Sequence, residues 1–505
     1  MRSISLLPRP AQTILLFLWI MTLFSSRADA TWSIVICDSE TKEVGIASVT
    51  CLSQFNLRAI TPVVVVGKGT AAVQAAGDFD GIRRPIIRTR FLLGIAPTSM
   101  LSTLSQVAGH ASRQYGIVDT QGRTATFTGG LNADWAGGVT GDIGTLSYAI
   151  QGNILVGPCV VSAVETALLN TPGDLPTKLM AGMQVAKDAG GDGRCSCAGT
   201  PTSCGCPPVS FTKSGHIGYL LVARIGDSED PVCNANGCAD GDYLYALNVG
   251  PQSVNAPDPV DQLQVLFDAR RAELAGRPDA HASTAAITGG ASGPLLTIAL
   301  ADYDGFAVTM PVTITIDHTA ASAGLSAIGA PVDLGGGQFE VPLTGTEIPG
   351  IDEFLITVDD GFRPVVLSPL PSYCAGSVAA GAADCNGNAL PDFCDLAAET
   401  SVDLDLDGFP DECALFRRGD CNGDGGIDVA DAIFSLEHLF GSAAPTVNCR
   451  EACNTNGSAT YDLGDPITLL SHLFSGGATL PPPFMECGVD VLVPAIDCQA
   501  GTVCP

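Results

Sequence analysis

Between Thr31 and about Arg271 the chain alternates short β-rich runs, closed by polar turns, with segments of helical periodicity, and this alternation restricts the fold more than any other feature. "TWSIVICD" and "EVGIASVT" are two such runs on either side of the polar turn Ser39 to Lys42, the pattern of a hairpin. "RAITPVVVVGKGTAAVQAA" adds sheet in which Val63 to Val66 are apolar on both faces and therefore expected to be buried. Between Pro97 and Gln114, residues Met100, Leu101, Leu104, Val107 and Ala111 share one helical face, which predicts a helix laid over a sheet. "YGIVDTQGRTATFTG" reads as a second hairpin turning at Thr120 to Gly122, and "LSYAIQGNIL" as a strand. Helices are expected around Val160 to Leu169 and Leu175 to Ala189, with "HIGYLLVAR" and "YLYALNV" returning to the sheet. A last helix is begun by Asp258 and Pro259, residues suited to a first turn. Hairpins in series, with helices inserted in pairs, predict an α+β layer structure: antiparallel sheets inside, helices outside, and no doubly wound parallel sheet.

At 505 residues the chain is too long for one core. From about 280 to 370, "GPLLTIALADYDG", "FAVTMPVTITID", "GQFEVPLTG" and "DEFLITVDDGFRPVVLS" alternate between Gly and Asp turns without helical period, so a small β-sandwich is expected there. The chain then divides into a leader (1–30), an α+β domain (31–275), a β-sandwich (276–372), an Asp/Asn- and Cys-rich segment (373–416) and a final pair of loop–helix repeats (417–505).

The leader carries Arg2 and Arg9, an apolar run from Ile14 to Phe24, and Ala28-Asp29-Ala30, the three regions of a secretory signal. Its apolar core is short for the roughly 20 residues a membrane span needs. Cleavage after Ala30 is therefore expected, leaving a mature chain that opens on Thr31 and has no span. Nineteen cysteines in an exported chain imply disulfides. Cys195, Cys197, Cys204 and Cys206 crowd one loop without a His at a zinc spacing, so a stapled loop is expected there in preference to a metal site. The odd count leaves at least one thiol free or paired outside the chain. Twenty-four basic against 53 acidic residues give a net charge of -29, which disfavours nucleic acid and anionic lipid and favours bound cations, calcium first.

The ordered series "TWSIVICD", "GIASVT", "GIVDTQGRTATFTG", "DWAGGVTGD", "YAIQGNILVGPCVV", "AGGDGR" and "PDPVDQLQVLF" resembles the DUF1028 family, proteins placed with the N-terminal nucleophile (Ntn) hydrolase fold, over residues 31 to about 272. The resemblance implies a four-layer αββα sandwich. Ntn hydrolases in general use a Thr, Ser or Cys freed at the chain start to attack a carbonyl, usually of an amide. A free α-amine, with a pKa of about 7.7–8.0 in peptides, accepts the hydroxyl proton directly or through water. One further residue upstream would turn that base into an amide nitrogen, so Thr31 is the expected nucleophile. Asn153 is a candidate oxyanion donor, with Gly152 admitting close backbone approach and Gln151 as the neighbouring alternative. Lys68 is a candidate to lower the amine pKa by like charge, and Asp134 or Asp192 to orient it. Two departures from the family bear on substrate contact. After "AGGDGR" the chain inserts "CSCAGTPTSCGCPPVSFTKSG" where the family continues briefly through a Gln-Ser pair, and "DFDGIRRPIIRTR" replaces a polar Asn-Pro segment. Arg83, Arg84, Arg88 and Arg90 then read either as a solvated face or as a contact for an anionic substrate group.

In "GDCNGDGGIDVADAIFSLEHLF", Asp420, Asn422, Asp424, the Gly426 carbonyl, Asp428 and Asp431 fall at loop positions 1, 3, 5, 7, 9 and 12, with Gly425 at the sharp turn. Oxygen ligands so spaced wrap a hard cation of calcium size, and the Asp at position 12 followed by an apolar helix resembles a dockerin type I half-repeat. The partner repeat, "ACNTNGSATYDLGDPITLLSHLF", reads as two residues longer in its loop, with Ala452 in the first ligand position. Asn454, Asn456, Asp462 and Asp465 are accordingly expected to bind weakly or only to shape the loop. Upstream, "DCNGNALPDFCD" and "DLDLDGFPDEC" resemble thrombospondin type 3-like calcium repeats. Asp384, Asn386, Asn388, Asp392 and Asp395 form one candidate set; Asp403, Asp405, Asp407 and Asp411 form the other.

Two functions follow as alternatives. One is a secreted Ntn-type hydrolase of an amide, a peptide or cell-wall fragment, carried on a module stabilised by Ca2+, with no cofactor in the α+β domain. The other is a non-catalytic surface or extracellular binding protein that keeps an Ntn-like scaffold and docks a cohesin-like or cell-envelope partner.

Overall fold

The computed structural model describes residues 31–488 apart from 230, 291–292, 323–324, 345–349, 376–390, 398–399, 402, 404–409, 411–414, 443, 448, 459 and 478. The leader and the candidate ligands Asp384, Asn386, Asn388, Asp405, Asp407 and Asp411 lie outside the described residues.

Strands β1 (Thr31–Asp38) and β2 (Val44–Thr50) make the expected hairpin, with Trp32 opposite Val49. Next come β3 (Pro62–Val65), β4 (Gly69–Gln74), the helices α1 (Arg83–Leu92) and α2 (Pro97–Leu104), and the hairpin of β5 (Gln114–Asp119) and β6 (Thr124–Thr128). β7 (Gly137–Ile143) and β8 (Leu146–Asn153) lead into α3 (Cys159–Asn170), α4 (Leu175–Asp188) and the single turn α5 (Gly193–Ser196). β9 (Ile217–Ala223), β10 (Tyr245–Val249) and α6 (Pro259–Leu274) complete this part of the chain.

One sheet has six antiparallel strands in the order β10-β9-β2-β1-β8-β7, and a second has four in the order β3-β4-β5-β6. Both faces of each sheet are covered. Trp32, Ile34 and Ile36 point from β1 into a core shared with α3, α4 and α6. Val35, Cys37, Ile46 and Ala149 point the other way, against Val64, Ala72 and Val118 of the second sheet. The far face of the second sheet, with Val63, Val73 and Ile117, packs on Ile87, Phe91, Met100 and Leu104 of α1 and α2. Helix, sheet, sheet and helix are thus stacked in turn, and the mixed α+β class follows from the alternation in the sequence.

Two local expectations change. The helix predicted from Pro97 to Gln114 ends at Leu104; the chain then turns, with Gly109 left-handed at φ 77°, into a single 3-10 turn that delivers β5. Arg83, Arg84 and Arg88 of the arginine cluster do not form a solvated face. Asp78, fully buried, accepts from the backbone N–H of Arg83 (3.1 Å) and Arg84 (3.0 Å) and pairs with both guanidinium groups. Arg88 pairs with Glu229 at 2.9 Å. These cations hold α1 to its neighbours, where isolated buried charge would be costly.

Beyond α6 the strands β11 (Thr284–Gly290), β12 (Gly293–Ala299), β13 (Thr313–His318), β14 (Ala327–Ile328), β15 (Val332–Gly335), β16 (Gln338–Thr344), β17 (Gly350–Asp359), β18 (Val365–Val366) and β19 (Ser372–Ala375) form two further antiparallel sheets. Leu296, Ile298 and Val341 from one sheet share a core with Phe354, Ile356 and Val358 from the other. Polar contacts join this two-sheet unit to the first: Arg224 bridges Glu43 and Asp279, each at 2.6 Å, and Arg363 reaches Asp227 at 2.6 Å. Asp392 and Asp395, proposed from sequence as loop ligands, are buried in the short helix α7 (Asp392–Ala397), and Asp403 follows it. The final part carries α8 (Val429–Phe440), the turn α9 (Arg450–Cys453) and α10 (Gly464–Ser475), with Ala432 and Leu469 packed together.

Candidate active site

The inter-sheet layer changes character at one end. Val35, Cys37, Ile46, Ala149, Ala72 and Val118 make it apolar in the middle. Alternation along the same strands turns Thr31, Ser33, Ser48, Thr50, Gln151 and Asn153 of the large sheet, and Gln74 and Gln114 of the small one, into the same layer. All are buried, Thr31 at 3% exposure in a chain that still has thirty residues ahead of it.

Thr31 stands opposite Asn153 in the β1–β8 register, and its backbone N–H donates to Asn153 Oδ1 at 3.1 Å. The NH2 is the donating end of that amide. Gln74 Nε2 donates to the Thr31 carbonyl at 2.9 Å and to Gln114 Oε1 at 2.7 Å, while Gln74 Oε1 accepts from the Ser33 hydroxyl. Ser33 Oγ lies 2.9 Å from Ser48 Oγ, and Gln114 Nε2 reaches the Gly152 carbonyl at 2.9 Å. Buried amides and hydroxyls here satisfy one another across the two sheets. Gln151 is the exception: neither end of its side-chain amide has a partner among the described residues. It lies over Gly116, where a Cβ would come within 2.0 Å of Gln151 Oε1.

Other residues singled out from sequence are placed differently. The hydrogen that would be a Gly152 side chain points toward the helices, where a Cβ would strike Leu155 Cδ1 at 2.4 Å, so the glycine serves packing there. Asp192 is fully buried and caps α5; its carboxylate accepts from Cys51 N (2.8 Å), Arg194 N (3.0 Å), Arg194 Nε (3.1 Å) and Arg194 Nη2 (2.8 Å). Asp192 therefore orients Arg194, not the Thr31 nitrogen. Asp134 has an exposed side chain, although the backbone around it lies beside the site: the Ala133 and Trp135 carbonyls accept from Ile154 N and Leu155 N at 3.3 and 3.1 Å. Lys68 is not brought to this cluster. It sits at the β3–β4 turn with Lys42, Asp119 and Arg123, at the opposite end of β4 from Gln74, roughly 20 Å away at the rise of an extended strand.

Patterning did not single out Ser33, Ser48, Gln74, Gln114 or Thr50 as site residues, yet each is a polar residue on an inward face of an otherwise apolar strand. Arg194 closes the "AGGDGR" motif and His216 precedes β9. His216 donates its backbone N–H to the Thr50 carbonyl at 2.8 Å, and burial and then Lys213 lower the pKa of its imidazole. The inserted loop is stapled where it passes: Cys195 to Cys51, Cys206 to Cys159 at the start of α3, and Cys197 to Cys204. Cys37 is free and buried. These disulfides fit an oxidising, extracellular setting. No helix among the described residues is long and apolar enough to cross a membrane.

The C-terminal repeats correct the register read from sequence. In the first loop Asp424 N donates to Asp420 Oδ1 (3.0 Å), Asn422 N to Asp431 Oδ1 (3.1 Å) and Asp428 N to Asp431 Oδ2 (2.8 Å). In the second, Ser458 N donates to Asn454 Oδ1 (3.1 Å), Asn456 N to Asp465 Oδ1 (3.2 Å) and Asp462 N to Asp465 Oδ2 (2.8 Å). Asn454 is thus the equivalent of Asp420, the loops are equally long, and Ala452 lies in α9 ahead of the loop. Cys421 and Cys453, which sequence alignment treats as counterparts, are disulfide-bonded to each other. No cationic side chain bridges Asp420, Asp424, Asp428 or Asp431 among the described residues.

No curated protein matches this chain. The crystal structure of protein SPO2555 from Silicibacter pomeroyi, a DUF1028 protein, is similar at 21% identity and a TM-score of 0.34, covering 48% of this chain and 88% of that one. The Escherichia coli adhesin FdeC aligns at 8% identity and a TM-score of 0.17 over 68% of this chain and 63% of its own. Neither likeness carries a functional argument. Residues 31–210, the segment that holds Thr31, Asn153 and Arg194, match the family of unknown function DUF1028.

Proposed function

We propose that this chain is an exported Ntn-type hydrolase of an amide, with Thr31 as its nucleophile. The observation that supports this best is the start of β1: Thr31 is its first residue, and its nitrogen is held by Asn153 at the polar end of the layer between the sheets. In the full-length chain that nitrogen is an amide and Thr31 is buried. Removal of residues 1–30 would make it an amine beside its own hydroxyl. The amine would take the Oγ proton as Oγ attacks the carbonyl, and Asn153 Nδ2, with the Gln151 amide as the alternative, would face the oxyanion. The tetrahedral species would collapse with C–N cleavage, the ammonium returning its proton to the leaving amine. Water would then hydrolyse the ester and restore Thr31.

Sequencing of the secreted protein should find Thr31 first. A β-lactone should acylate that residue, Thr31→Ala should abolish labelling, and Asn153→Ala should slow it by about 10²–10³-fold. A retained residue ahead of Thr31, or labelling indifferent to Thr31→Ala, would end the hydrolase reading.

Under the same reading Ca2+ belongs to the C-terminal loops. Asp420, Asn422, Asp424, Asp428, Asp431 and the Gly426 carbonyl are hard oxygen donors suited to it, and the ion would offset four converging carboxylates. Asn454, Asn456, Asp462 and Asp465, with Ser458, offer a second, less charged set. A partner-binding role for this module draws support from its exposed apolar residues. Val429, Ile433 and Phe440 on α8 recur at equivalent positions as Leu463, which caps α10, and Ile467 and Phe474 on it, all exposed. A cohesin-like or cell-envelope protein is the partner this suits, and it is what the chain would retain as a binding protein if Thr31 proved inert.

A further inference from the structure

We infer that the disulfide between Cys51 and Cys195 is a thiol-exchange site, opened by a small extracellular thiol or dithiol with His216 as its proton carrier. Such a site would operate whether or not Thr31 is a nucleophile.

One ring nitrogen of His216 and the two sulfurs all lie within 4.8 Å of one another. Among the described residues, no other disulfide has an imidazole nitrogen or a carboxylate oxygen that close to both of its sulfurs. Nδ1 of His216 is buried and has no hydrogen-bond partner among the described residues, so the protein does not already engage it. The strands put the ring there: the His216 backbone N–H donates to the Thr50 carbonyl at 2.8 Å, one residue ahead of Cys51, and β9 starts directly after it. Cys51 and Cys195 are both half-buried, so neither is sealed from a small thiol.

Among the described residues the imidazole is faced by Lys213 from the inserted loop, Arg194 in α5, Asp192 at the cap of α5 and Asp258 at the cap of α6. Two cations against two anions leave little net charge, and burial leads in lowering the pKa. The ring is therefore neutral near neutral pH and able to accept a proton.

In the exchange His216 takes the proton of the incoming thiol. The thiolate attacks one of the two sulfurs, a new S–S bond forms to it, and the electron pair of the Cys51–Cys195 bond leaves on the other sulfur. The imidazolium returns its proton to that departing thiolate. The incoming sulfur is thereby oxidised to a mixed disulfide and one cysteine is reduced to a thiol; a second thiol, or the second arm of a dithiol, releases the other cysteine in the same way. Opening removes the covalent link between the end of β2 and the inserted loop, and leaves the hydrogen bond from Cys51 N to Asp192 at 2.8 Å.

Cys197–Cys204, in the same loop, is the comparison. Cys204 is exposed, so access alone would make that bond open first. The test uses the mature full chain with glutathione and then dithiothreitol, each bond being followed by timed alkylation and peptide mass spectrometry. At neutral pH Cys51–Cys195 should open about ten-fold faster than Cys197–Cys204. That advantage should shrink as pH rises past about 8.5, where an ordinary thiol no longer needs a base. His216→Gln should remove most of it at neutral pH and leave Cys197–Cys204 at its former rate, which also reports that the loop keeps its fold. Equal or slower opening of Cys51–Cys195 in the unaltered protein overturns the inference, whether or not the variant folds. An advantage that persists unchanged at high pH, or a His216→Gln chain that opens as fast as the unaltered one, overturns it too.

Discussion

Gln74 ties together three groups that the chain separates widely: the Ser33 hydroxyl, the Thr31 carbonyl and the Gln114 side chain. Replacing it by Leu keeps the volume and strands buried polar partners, at a cost of roughly 1–3 kcal/mol for each one left unpaired. Gln74→Leu should therefore lower the stability measured by urea unfolding by about 2–4 kcal/mol, more than a surface substitution would. Gly116 carries a different kind of constraint. Ala there meets Gln151 at 2.0 Å, so Gly116→Ala alone should destabilise by about 1–3 kcal/mol, and much of that should return in Gly116→Ala/Gln151→Ala. A double variant no better than the sum of its parts would show that the two do not share space. Thr31 was legible in the sequence from the cleavage signal ahead of it, and Gln151 and Asn153 as amides within the strand-like run "LSYAIQGNIL". Gln74 and Gln114 are amides within strands too, but their relevance appears only when the second sheet is laid over the first. Arg84 reads as exposed because isolated charges rarely go inside; the turn at Asp78 supplies its partner, and only folding brings the two together.

At the scale of elements, hairpins and long helices are legible because their period persists over many residues, as β1 with β2 and α4 illustrate. Loop register is not, because it depends on a few identities. Cys421 and Cys453 look like counterparts in the repeats, and matching them puts Ala452 in a ligand position. Their disulfide instead joins position 2 of one loop to the residue before the other. With the register corrected, the first loop offers four carboxylates and the second two, Asp462 and Asp465. Calcium affinity rises with ligand charge, so the first loop should dominate. Calorimetry of the full chain should find a transition that Ca2+ raises and a chelator lowers. Asp424→Ala should remove most of that shift and Ser458→Ala little of it. A chelator-insensitive transition would remove calcium from the account.

Across the whole molecule, the joint between the α+β layers and the two-sheet unit is polar and buried, and its charges should set the acid limit of the assembly. Arg224 lies between Glu43 and Asp279, and His281 Nδ1 sits 3.6 Å from Glu43 Oε2. Burial, opposed by Arg224, pushes Glu43 up from 4.5 to about 7. Such a group stabilises the fold fully below 4.5, and that contribution is lost as pH rises to 7. Burial, with Arg224 adding to it, pushes His281 down from 6.5 to about 3; its contribution is complete above 6.5 and is lost as pH falls toward 3. Asp279, which burial would raise, is held by Arg224 at about 2, and its contribution is lost as pH falls from 3.8 to 2. Between pH 4.5 and 6.5 the first two slopes oppose each other; Asp227 of the same joint, which burial raises above 3.8, also opposes His281, and below 3.8 neither acid does. Unfolding free energy from urea titrations should therefore be nearly level across that window and fall steeply below 3.8. Glu43→Gln removes one of the opposing slopes, so the decline in the variant should already begin near pH 6.5, at up to about 1.4 kcal/mol per pH unit for one proton. A variant whose profile stays level down to pH 4.5 would mean that His281 keeps its proton in the folded protein and that the joint does not set the acid limit.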